Sequence, residues 1–232
     1  MNSHAARTCY ALKRSLKLKT SILIIVLALF TAVYVYGYQG QKAVESVRNA
    51  TVLISDEVFG GSGRGTGVLI DPTHVLTCAH VVEHGMADDA LLMIYTHPLK
   101  QVYMGSVVAV DGRDDLAIVE LSTPIALAKF PVFQDAVEVG ESITVIGNAL
   151  GGMRWLFTKG IISDVTERYL LTDAGINPGD SGGPWVNEKG EIVGLTDWRI
   201  GPVDGVPGFA GGIPAKQINK VLKRFKQLTE EN

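Results

Sequence analysis

The chain has 232 residues, 47% of them hydrophobic, enough for the core of one mid-sized domain or two small ones and too many for a disordered or fibrous chain. Its 26 Gly and nine Pro follow no repeat period and predict short strands joined by many turns. The formal charge of −3 hides an asymmetry: Arg7, Lys13, Arg14, Lys17 and Lys19 stand in residues 1–20 without any acid, while the other 16 cations face all 24 acids, a net −8 that argues against nucleic acid as a partner.

Residues 21–38, SILIIVLALFTAVYVYGY, carry no charge and span about 27 Å as a helix, close to the hydrocarbon thickness of a bilayer. The upstream cations predict a cytoplasmic N-terminus (1–20) and an extracytoplasmic body, on the periplasmic or cell-surface side, with Tyr34, Tyr36 and Tyr38 at the far interface. An uncleaved signal anchor is favoured over a cleaved signal peptide, because the segment ends in bulky aromatics without a small-x-small cleavage site. A buried core helix is disfavoured, since the segment is apolar on every face.

Residues 39–48, QGQKAVESVR, read as a polar spacer with helical potential before a domain at 49–232. Eleven β-like segments follow: TVLIS, GTGVLID, HVLTCAHVV, LLMIY, QVYMGSVVAV, LAIVEL, ESITVIG, WLFTKGIIS, RYLLTDA, EIVGL and FAGGIP. Such a series predicts a sandwich or barrel. The Gly-rich stretch at 60–67 fits neither phosphate-loop pattern and reads as a close backbone approach. Thr123-Pro124 and Phe130-Pro131 interrupt the series, which places sub-barrels at about 49–125 and 136–214. In the tail, Ile218, Val221, Leu222, Phe225 and Leu228 recur at helical spacing, so residues 215–228 are expected to form an amphipathic helix packed on the body.

The strongest chemical signal is Asn177-Pro178-Gly179-Asp180-Ser181-Gly182-Gly183-Pro184, a turn of small residues around one hydroxyl. A serine nucleophile needs a neighbouring base and backbone N–H groups aimed at the developing oxyanion, and glycines leave those amides unobstructed. Taken alone, a Gly-Asp-Ser-Gly-Gly run could be an ordinary tight turn. His80 closes the apolar strand Leu76-Thr77-Cys78-Ala79, where a base could be held rigidly. His74, His84 and His97 lie in turns or loops and read as structural, and Cys78 as a small buried packing residue. With only Cys9 and Cys78, and no zinc-like spacing, neither a metal nor an organic cofactor is expected.

The motifs T-x-A-H-V-V, D-D-L-A-I-V and N-P-G-D-S-G-G-P, in the order His, Asp, Ser, resemble the chymotrypsin clan of serine proteases, specifically its HtrA/Deg branch, over about residues 42–220. The resemblance implies a double six-stranded β-barrel and hydrolysis of protein or peptide substrates by a triad of Ser181, His80 and Asp115, with Gly179 and Ser181 N–H groups as the oxyanion hole. The resemblance favours Asp115 over Asp114, since the family's triad Asp directly precedes an apolar-Ala pair, here Leu116-Ala117. Ile176, Trp198 and Ile200 would wall the substrate pocket. Gly175 stands where trypsin-like enzymes carry an acid, so a small or medium apolar P1 side chain is expected. Asp180 must find a partner other than a newly cut N-terminus or remain solvated. No PDZ domain is expected after the terminal helix, and a homo-oligomer, a trimer by analogy, is implied by the family alone. The competing reading is a proteolytically silent or latent membrane-tethered module that binds extended peptides with the same fold.

Overall fold

The structure, a computed structural model, describes residues 3–55, 64–83, 91–97, 101–149, 155–199 and 208–230. Helix α1 (Ser3–Ala50) runs unbroken through both the apolar segment and the polar stretch 39–48. From Ile22 to Tyr38 its large hydrophobic side chains are exposed, and among the described residues it is the one helix long and apolar enough to cross a membrane. Residues 1–41 form a unit of their own, and the remainder of the chain forms the second. Within that second unit, Val47 and Ala50 at the end of α1 are buried in the core. The Trp155 indole N–H caps the junction by donating to the Thr51 carbonyl over 2.7 Å.

Two closed antiparallel six-stranded barrels follow. The first is built from β1 (Thr51–Ser55), β2 (Arg64–Leu69), β3 (His74–Cys78), β4 (Leu92–Thr96), β5 (Val102–Asp111) and β6 (Leu116–Leu121), in the order β1-β2-β3-β6-β5-β4. The second contains β7 (Ser142–Gly147), β8 (Leu156–Val165), β9 (Leu170–Thr172), β10 (Pro184–Asn187), β11 (Ile192–Arg199) and β12 (Ala210–Pro214), in the order β10-β11-β12-β9-β8-β7. Closure leaves no sheet edge to protect. Together they make a chymotrypsin-like fold.

One strand escapes the sequence pattern. β10, Pro-Trp-Val-Asn, is four residues long, opens on Pro and is buried throughout, so it shows neither length nor alternation. It nevertheless pairs with both β7 and β11, and its Trp185 fills the second barrel, the indole N–H donating to Thr196 Oγ1 at 2.9 Å. Residues 122–141 cross between barrels without a strand, pinned where the Ile192 amide donates to Val132 and the Gln134 amide to Ile192.

Helix α2 (Ala215–Glu230) buries Ile218 and Val221, with Leu222 and Phe225 packed against the same core. The expectation for Leu228 is corrected: it is 62% exposed, and the rest of the last turn, from Lys226 to Glu230, is exposed with it. On the polar side, Arg224 reaches Asp111 at 2.7 Å.

Candidate active site

His80 and Asp115 are brought together by adjacent strands. β3 pairs with β6, so the turn after Cys78 meets the turn before Leu116. Asp115 holds that turn at three points. Its carbonyl accepts from the Ala79 amide at 3.0 Å, Oδ1 accepts from the His80 amide at 3.0 Å, and Oδ2 lies 2.6 Å from His80 Nδ1. This fixes Nδ1 as the protonated ring nitrogen and leaves Nε2 as a free acceptor. The geometry has a backbone cost, since Asp115 has φ +48°, a left-handed conformation that Asp tolerates better than most residues and that collects at functional sites. Asp114 points elsewhere, 3.8 Å from Arg224.

The charges follow from these contacts. The hydrogen bond to Asp115 raises the His80 pKa; burial opposes it, and the charges of Asp115, Asp197 and Glu83 add to it. Burial pushes the Asp115 carboxyl up, but the His80 ring and amide and the Asp197 carboxyl outweigh that and leave it below the ordinary carboxylate value. An ionised carboxylate beside a basic imidazole is the arrangement a general base requires.

Ser181 sits in the loop between β9 and β10. Gly179 (φ +101°) and Gly182 (φ +80°) hold left-handed backbone there, and a Cβ on Gly182 would strike the Thr66 carbonyl and Thr77 Oγ1. Among the described residues, neither the Gly179 nor the Ser181 amide donates a hydrogen bond, so both remain available to an oxyanion. The Ser181 hydroxyl lies 3.5 Å from the Asp197 carbonyl, and no hydrogen bond joins it to His80. Asp180 is buried, accepting from the Asn177 amide at 2.9 Å and from the Ala149 amide; burial raises its pKa against those two bonds. Its partners are thus backbone amides, not solvent.

Sequence reasoning missed Thr66, which ties this loop to the first barrel. Its amide donates to the Ser181 carbonyl at 2.8 Å and its hydroxyl to the Gly179 carbonyl at 2.7 Å, while the same hydroxyl accepts from the Asn148 amide at 3.0 Å. The available signal was a lone hydroxyl between two glycines that allow close approach: a Cβ on Gly65 would strike Val81, next to His80. Thr66→Val keeps the shape and strands the Gly179 carbonyl and the Asn148 amide, so stability should fall by about 1–3 kcal/mol in urea unfolding. Loosening the loop should lower kcat by about 10²-fold, read with a chromogenic peptide.

The pocket residues are placed unequally. Ile176 is half-buried against the core of the second barrel, the Trp198 ring lies over Gly211 and meets Tyr169 edge-on, and Ile200 lies outside the described residues. Of the other histidines, His74 pairs with Asp71 at 2.8 Å and His97 approaches Asn49 at 3.4 Å; His84 lies outside the described residues.

Cys78, His80, Asp115 and Asp197 each present one ligand-type atom, all within 4.8 Å of one another. Their chemistry suits a hydrogen-bond network better than a metal cage. The Cys78 thiol is fully buried, burial and the two carboxylates push its pKa well up, and it donates to the Thr196 carbonyl at 3.2 Å, while Nδ1 of His80 is taken by Asp115.

Residues 65–195, more than half of the chain, match the family described as trypsin-like peptidase domain. The chain is 31% identical to a probable periplasmic serine protease do/HhoA-like of Haemophilus influenzae, over 73% of this chain and 40% of that protein. It is equally 31% identical to periplasmic serine endoprotease DegP of Salmonella typhimurium, over 69% of this chain and 35% of that protein. A serine endoprotease from Yersinia pestis superposes with a TM-score of 0.67 at 26% identity, covering 80% of this chain and 65% of the other. The chain thus spans half or less of the length of these curated relatives. With the motif order, the paired barrels and these likenesses in agreement, the chain belongs to the trypsin-like peptidases, in their HtrA/Deg branch of serine proteases.

Proposed function

We propose that the chain is a membrane-anchored serine endopeptidase that cleaves protein substrates on the extracytoplasmic side, in protein quality control or regulated proteolysis of the HtrA/Deg kind. The observation that carries this reading is the hold of Asp115 on both the amide and the ring of His80, beside a loop that presents Ser181. In the proposed cycle Ser181 Oγ attacks the scissile carbonyl as His80 Nε2 takes its proton. The oxyanion is met by the Gly179 and Ser181 amides. Collapse expels the amine, which takes that proton from His80, and water then hydrolyses the acyl-enzyme by the same proton path. Gly175 in place of an acid, next to the half-buried Ile176, supports a small or medium apolar P1 residue.

Membrane attachment is the second part of the reading, supported by the exposed apolar run of α1 and its upstream cations, which favour a cytoplasmic N-terminus. A latent resting state is favoured by one observation, the Ser181 hydroxyl resting on the Asp197 carbonyl rather than on His80. Proteolysis and latency are tested on the full chain in detergent micelles, with casein and a serine-directed covalent inhibitor. Casein cleavage blocked by an adduct on Ser181 is the expected result. Neither cleavage nor adduct sinks the protease reading, unless a casein-derived peptide or anionic vesicles restore both, which identifies the latent form.

A further inference from the structure

Asp197 occupies an irregular position in β11. Thr196 pairs with Gly212 and Trp198 with Gly211, so Asp197 is the extra residue of a β-bulge. Bulges of this kind re-aim a side chain and are frequent beside active sites. This one is locked on its N-terminal side. The Thr196 amide donates to the Gly183 carbonyl, and the Gly182 amide and Cys78 thiol both donate to the Thr196 carbonyl. The result is a half-buried residue whose carbonyl lies 3.5 Å from Ser181 Oγ and whose carboxyl belongs, with Asp115 and His80, to the cluster of atoms within 4.8 Å.

We propose that Asp197 and Asp115 act as a carboxylate pair on one imidazole, Asp197 being a positioning residue that sets the pH at which His80 becomes available as a base. The proposal rests on the reading of His80 as that base. The groups facing the pair are the His80 ring and the Cys78 thiol, neutral in its buried site, with Glu83 acting on the ring from the turn after β3. On Asp197's own strand the next charged side chain is Arg199, which is exposed.

Two carboxylates this close cannot both ionise with ordinary ease. Burial, then the contact with Asp115, pushes Asp197 up to about 6, whereas Asp115 is held ionised by His80. The first carboxyl proton taken up as pH falls therefore goes to Asp197. Above about 6 Asp197 is charged and helps Asp115 stabilise the imidazolium, which raises the His80 pKa and moves the acid limb of kcat/KM to higher pH. Removing that charge moves the limb down.

The test measures kcat/KM on a quenched peptide from pH 5 to 9, together with ¹H–¹⁵N spectra of the His80 ring, in the full chain in micelles and in its Asp197→Asn and Asp197→Glu variants. Asp197→Asn should lower both the acid limb and the His80 titration by about one pH unit. At pH 6, where wild-type Asp197 is itself partly protonated, it should then retain a several-fold larger share of its own plateau. Asp197→Glu should keep both close to wild type. Turnover with a limb and a ring titration that coincide in all three proteins overturns the pair and leaves the protease reading intact. A moved ring titration without turnover in any of them sustains the pair and counts against that reading. Should Asp197→Asn fail to fold, the wild-type spectra decide: two inflections, the lower near 6, support the pair, and a single inflection at the ordinary imidazole value of 6.5 overturns it. Stoichiometric zinc retained by wild type and lost in Asp197→Asn would overturn it too, since the carboxylates would then be ligands.

Discussion

Ser181→Ala is expected to lower kcat on casein by about 10⁶-fold, while stability changes by less than about 0.5 kcal/mol. The two effects separate because the hydroxyl does almost nothing for the fold. Among the described residues its one hydrogen bond, to the Asp197 carbonyl, is long at 3.5 Å, and the loop is held by backbone: the Ser181 carbonyl accepts from Thr66, and the amides that follow it donate to Thr196 and Asp180. Alanine fits the same backbone, so the Gly179 and Ser181 amides should keep their places. What is lost is the covalent path, leaving the residual catalysis that binding and oxyanion stabilisation provide. Long incubations followed by mass spectrometry, beside thermal unfolding, would measure both quantities. Residual activity above about 1% of wild type with an unchanged Tm would mean that another group attacks the carbonyl.

The barrels were legible because short runs rich in apolar and β-branched residues are separated by turns that carry Gly and Pro, so eleven of the twelve strands announced themselves. β10 did not, since it is only four residues long, opens on Pro and follows directly on the Gly-rich turn around Ser181. The end of α2 illustrates a related limit: periodicity places Leu228 on the apolar stripe, but only the length of the body beneath the helix decides how far that stripe is buried. At the site, Ser181 stood out through the run of small residues around it and His80 through its place at the end of an apolar strand, while Asp115 was legible only through the family resemblance. Thr66 offered only the two glycines beside it, and the aim of Asp197 offered no signal. A threonine is common in strands, and neither a contact across 113 residues, from Thr66 to Gly179, nor a bulge that turns one carboxyl toward another leaves a local pattern.

Asp115→Asn should leave the fold intact and lower kcat by about 10⁴-fold at neutral pH. The carboxylate accepts twice, from the His80 amide through Oδ1 and from Nδ1–H through Oδ2. A carboxamide has one acceptor and one donor. With its oxygen kept on the backbone amide, the NH₂ group faces Nδ1, and the imidazole must surrender the Nδ1 proton to accept from it. The neutral ring then carries its proton on Nε2, the atom that has to receive the Ser181 proton, and the base is blocked although every heavy atom is in place. The loss of charge also lowers the His80 pKa, since the contact with Asp115 is the largest cause of its rise. Asparagine should therefore recover part of its deficit as pH increases and hydroxide replaces the blocked base, so that the gap to wild type narrows between pH 7 and 10 in kcat/KM profiles on the same peptide. A deficit of tenfold or less at pH 7 would mean that His80 is oriented by Asp197 or by the backbone alone, and that Asp115 holds the turn rather than the tautomer.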